Sequence, residues 1–275
     1  MRASTVLASL AAAGGVLAQR PSDTPVCDYY TTALLKNNTA ENQYTLLTLL
    51  VNTAVIGNYT QPNVGVSVPG ILAPGTYNGT EVNLLPYFDG MLALLLTHLY
   101  QYFGYLLGCT KYSTPGFPAY AGHASMYEVH KFMDLSAAEV GYFIQQVGLS
   151  AASFGVATDD IMAVGTALNS LFGYRCAPAM TVIPAQGAVL ESICIDESCP
   201  IAPNATCSMY NATMMPQNAT AASGSMSNGT MTSGGNGSMS SASATMPAQY
   251  TGAASAFGIQ AGVVGLAAAA FAFLL

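Results

Sequence analysis

Between residues 27 and 200, apolar positions recur at helical spacing and are interrupted by cap and turn signals. Asn38-Thr39-Ala40-Glu41 has the spacing of a capping box and opens an apolar helix from Thr39 to about Ile56. Four prolines and four glycines crowd the stretch from Gln61 to Tyr87, which predicts a long connection. Met91 to Leu107 is a second, very apolar helix that stops near Gly108 and is followed by a Pro/Gly loop. Ser125-Met126-Tyr127-Glu128 caps a short third helix running through Met133. Ser136-Ala137-Ala138-Glu139 caps a fourth, running to about Leu149. Thr158-Asp159-Asp160 opens a fifth with acids in its first turn, where the helix dipole favours them, and Gly173 ends it. Strand signals are weak until Thr181 to Ile183. The pattern predicts an all-α fold, a compact bundle of about five main helices.

Both ends of the chain depart from this pattern. Arg2 precedes an apolar run from Val6 to Leu17, and Val16-Leu17-Ala18 offers a small-residue cleavage site before Gln19. Residues 1–18 therefore read as a secretory signal peptide; a buried core helix is the alternative, which Arg20-Pro21-Ser22 would stop abruptly. Ala256 to Leu275 is apolar apart from Gln260, with no basic flank, and follows the small residues Thr251 to Ser255. This predicts a glycolipid anchor attached at Gly252, or at Ser243 if the spacer is longer, with residues 253–275 removed; a tail-anchored helix is the alternative. Residues 208–252 are rich in Ser, Thr, Gly, Asn and Met and read as a disordered, glycosylated stalk below a domain of residues 19–207. The stalk's seven methionines could serve Cu(I), but they lie too far apart to converge cheaply.

Charge and cysteine usage narrow the function. Six basic against thirteen acidic residues give −7 with no basic cluster, which excludes nucleic acid as a partner. The outer membrane leaflet, reached through the anchor, and cell-wall polysaccharide are the partners this organisation implies. Cys27, Cys109, Cys176, Cys194, Cys199 and Cys207 are even in number and predict three disulfides, whose fifteen connectivities the sequence leaves open. Asn37, Asn58, Asn78, Asn204, Asn211, Asn218, Asn228 and Asn236 each begin a glycosylation triplet and are expected at the surface.

The chain has no hydrolase motif and no phosphate loop, so chemistry rests on its three histidines. His98 heads a polar-aromatic stripe with Gln101, Tyr102 and Tyr105 in the second helix, whereas His130 in the third stands among Met126, Val129 and Met133. A neutral imidazole in an apolar pocket suits haem iron, because burial favours its uncharged form. A core histidine bonded to a carbonyl explains either residue singly, and it is the better account of His98. His123, beside Gly122, reads as a surface residue.

The run from Tyr120-Ala121-Gly122 through Met126 and His130 to Met133, Leu135 and Ser136 resembles the proximal region of truncated globins. In that family a Tyr-x-Gly, a Met and a following His precede a Leu/Ile-x-cap pattern. Leu106-Leu107-Gly108-Cys109 is similar to the end of their distal helix, with Cys109 in place of a second glycine. Gly155-Val156 before Thr158 is similar to the junction before their last helix, so the resemblance covers about residues 92–172. The Pro/Gly-rich stretch from Pro62 to Gly79 is foreign to the family. The ends and stalk resemble those of fungal cell-surface glycoproteins. The globin resemblance implies haem as cofactor, His130 as proximal ligand and His98 as distal ligand. Met126, Met133, Tyr102 and Phe88 would line the group. Oxygen or nitric-oxide binding, redox exchange or haem handling would be the activity; a surface glycoprotein whose helical domain binds no cofactor is the alternative.

Overall fold

The computed structural model describes residues 20–59, 64–88 and 92–210. The expected signal peptide, the stalk beyond residue 210 with Asn211, Asn218, Asn228 and Asn236, and the expected anchor site Gly252 lie outside them. Helix α1, Val26–Leu35, buries Cys27, Tyr30, Thr31 and Leu34 at i, i+3, i+4 and i+7, one face of a helix. Helix α2, Ala40–Ile56, starts one residue later than the expected box. Thr39 is its N-cap and accepts from the Asn42 N–H, because the Asn38 amide is engaged by Asp28 and Gln43.

The Pro/Gly-rich connection folds back as a hairpin of β1, Gly75–Tyr77, and β2, Thr80–Val82. Its turn, Asn78-Gly79, has positive φ at both residues (48° and 79°), as a type I′ turn requires. Helix α3, Leu92–Leu106, is followed by Gly108 at φ 71°. Helix α4 is short, Met126–His130, and runs into a 3₁₀ turn, Lys131–Met133. Helix α5, Ala137–Ser153, is opened by a complete capping box between Ser136 and Glu139, as expected. Helix α6, Thr158–Phe172, ends at Gly173. The fold is thus mostly helical, with six helices where five were expected and one small hairpin. Thr181–Ile183 forms no strand; Met180 and Val189 pair there as an isolated bridge.

Helix α5 packs between α2 and α6, and α2 also packs on α1 and α3. The hairpin lies on α5 through a reciprocal fit. A Cβ on Gly141 would stand 2.3 Å from the Tyr77 ring, and one on Gly75 would stand 2.5 Å from the Tyr142 ring. Each glycine therefore makes the seat for the other element's tyrosine.

The cysteines pair as Cys27–Cys109, Cys176–Cys207 and Cys194–Cys199. The first joins α1 to the end of α3, beside an Asp28 carboxylate that accepts from Asn38, Gln43 and Thr110. The other two fasten residues 174–210, an irregular segment lying against the helices. Such bridges stabilise a fold of this kind by about 2–5 kcal/mol each.

Candidate functional site

His130 closes α4, and its position follows from the local chain. Ser125 caps the helix by accepting from the Glu128 N–H at 3.3 Å, but the return half of the box is absent. Glu128 pairs instead with Lys131 at 2.7 Å, and the Ser125 N–H turns to His123 Nδ1. One helical turn beyond this cap, His130 Nδ1 lies 2.7 Å from the Met126 carbonyl. A carbonyl only accepts, so Nδ1 carries the proton and Nε2 presents its lone pair. Burial lowers the imidazole pKa, opposed by that same bond, and the ring is neutral at physiological pH.

Met126 and Met133 are buried in the core. Phe88 is half-buried against that core, and the neighbouring Tyr87 hydroxyl donates to the Met133 carbonyl at 3.2 Å. His98 is half-buried on α3 and meets Tyr120 edge-on at 5.8 Å. Tyr120 meets Tyr102 at 5.5 Å, and the Tyr102 hydroxyl lies 3.4 Å from Glu191 Oε2. The His98 stripe thus leads to a buried carboxyl, and no bond or ring contact joins His98 to His130 among the described residues. His123 is exposed, as its loop position suggested.

Glu191 is the residue the sequence did not single out. It is 2% exposed, and burial lifts its carboxyl to about 7, against bonds from the Met126 N–H and Tyr102 that lower it. Desolvation likewise drives the Tyr102 and Tyr120 phenols upward, with the Glu191 charge adding to both. A lone acid within Val189-Leu190-Glu191-Ser192-Ile193 was the only signal available.

Asp160 also does more than its cap position implied. Its side chain turns inward to pair with Arg20 at 2.7 Å and to accept from the Tyr30 hydroxyl at 2.7 Å. Asp160 and Tyr30 border a cavity of about 70 Å³ among α1, α2, α3, α5 and α6, otherwise walled by apolar residues such as Leu47, Val51, Phe103 and Val147. Neither His98 nor His130 lines it. Ligand pockets span roughly 300–1,000 Å³, so this space does not admit a haem.

At the level of donor chemistry His130 fits a haem ligand: a neutral imidazole, one nitrogen anchored to a carbonyl, the other free among the described residues. Asn37, Asn58, Asn78 and Asn204 are all exposed. Among the described residues there is no cluster of three or more His, Cys, Asp or Glu suited to a metal ion, and no helix long and apolar enough to cross a membrane. No protein-family model, curated protein or solved structure matches this chain.

Proposed function

We propose that this chain is a secreted surface glycoprotein, held to the outer leaflet by a glycolipid, whose disulfide-stapled helical domain binds haem through His130. The observation that carries the reading is the His130 ring itself, fixed by Nδ1 to the Met126 carbonyl and kept neutral by burial. Nε2 would hold the iron, and Met126, Met133, Phe88 and Tyr102 would line the group. Bound haem would supply gas binding or one-electron exchange outside the cell. His98 would have to turn from Tyr120 to serve as a second ligand.

A second reading, a surface glycoprotein that binds no cofactor, is favoured by the cavity, which is small and lined by neither histidine. Titration of the purified glycoprotein with haemin separates the two. A saturable Soret band at one haem per chain is expected, lost in His130→Ala and retained in His123→Ala. In His98→Ala haem stays bound and moves towards high spin. A folded protein with no saturable uptake leaves the second reading.

A further inference from the structure

A five-residue helix leaves most of its first N–H groups without intrahelical partners and cannot persist alone. In α4 the Glu128 N–H is met by Ser125, whereas the Tyr127 N–H and the capping Ser125 itself are met by Leu190, about sixty residues further along the chain. The Ser125 hydroxyl donates to the Leu190 carbonyl at 2.6 Å, and the Tyr127 N–H donates to the same carbonyl at 3.2 Å. The Met126 N–H between them faces the Glu191 carboxyl and favours its ionised form. The Met126 peptide thus lies between two groups: its N–H faces the Glu191 carboxyl, and its carbonyl accepts from His130 Nδ1.

The clamp is itself anchored. Tyr102 reaches the same carboxyl from α3. Three residues beyond Glu191, Cys194 is bridged to Cys199, and its N–H donates to the Phe172 carbonyl at the end of α6. The Ile195 N–H donates to Leu135, on the other side of α4.

We infer that Leu190–Glu191 is the positioning element for His130, an external cap that fixes where Met126 sits and hence which tautomer and orientation the ring adopts. Glu191 acts through Met126 and is a positioning residue. Its functional meaning rests on the haem reading, but the positioning is a property of the protein without haem.

The test uses the complete glycoprotein without haem, labelled with ¹⁵N-histidine. Long-range ¹H–¹⁵N spectra report the His130 tautomer, and hydrogen exchange reports the Met126 and Tyr127 amides. Wild type is expected to show a fixed Nδ1–H tautomer. Glu191→Leu is expected to mix the tautomers and to speed exchange at Met126 and Tyr127 by about tenfold, with Leu168 in α6 unchanged. Glu191→Gln keeps an acceptor oxygen and restores both readings. Should Glu191→Leu not fold, Glu191→Ala is read the same way. An unchanged tautomer in the variants, or exchange rising equally at Leu168, overturns the inference. Haem titration of the same wild-type sample decides the haem reading independently: a fixed tautomer with no Soret band removes haem and leaves the positioning intact.

Discussion

Replacing Glu191 by glutamine should flatten part of this protein's stability profile across the acid range. A carboxyl that titrates near 7 when folded, and near its ordinary 4.5 when unfolded, keeps its proton in the native state after the unfolded chain has released it. Between those two values the unfolded state binds fewer protons, so stability falls as pH rises. Below 4.5 no penalty exists, and above 7 it is complete. At 1.36 kcal/mol per pH unit, the interval amounts to about 3 kcal/mol. Glutamine has nearly the same shape and no titration, so it removes this component alone. The raised Asp134 and lowered Asp196 carboxyls are present in both proteins and cancel in the difference. Urea unfolding of wild type and Glu191→Gln at pH 4, 5.5, 7 and 8 measures it. The variant should gain about 3 kcal/mol on wild type between pH 4 and pH 8, or up to about 10 °C in melting temperature for a domain of this size. A gap that stays constant with pH would refute the argument, because a carboxyl free to ionise in the folded state leaves nothing for glutamine to relieve.

Other expectations follow from geometry. Gly141→Ala places a methyl inside the Tyr77 ring and should cost about 1–3 kcal/mol, measured by thermal unfolding. Alkylation without reduction should label no cysteine, and Cys27→Ser with Cys109→Ser should lower stability by about 2–5 kcal/mol. At Asn58 the side-chain oxygen accepts from the Val68 N–H, and among the described residues nothing accepts from the amide nitrogen that would carry a glycan. Asn58→Ala should therefore lose one glycan by mass and about 1 kcal/mol of stability in the deglycosylated protein.

What the sequence disclosed was what local chemistry decides. The Ser136–Glu139 box was legible because both partners lie within one turn. The Asn38 box moved by one residue because Asp28, ten positions away, takes the Asn38 amide. Helix α1 escaped notice because Pro25 offers no side-chain cap and the helix is only ten residues long. The hairpin carried a readable signal in Asn78-Gly79, masked by the surrounding prolines. Glu191 was illegible for another reason: its partners Tyr102 and Met126 come from distant parts of the chain, and no pattern in residues 189–193 names them. The cysteine pairing is of the same kind, since bridges across 82, 31 and 5 positions follow from how the helices stack.

The seat between the hairpin and α5 constrains how this sequence can drift. Tyr77 rests on Gly141 and Tyr142 on Gly75, so each ring occupies space that exists only because the opposite residue lacks a side chain. A mutation enlarging either glycine collides with a tyrosine, and one shrinking either tyrosine opens a void. Neither step is tolerated well alone, whereas the two together can be neutral. In any lineage descended from this chain, positions 77 and 141, and positions 75 and 142, should therefore change as couples, leaving a trace of the contact in the sequences themselves.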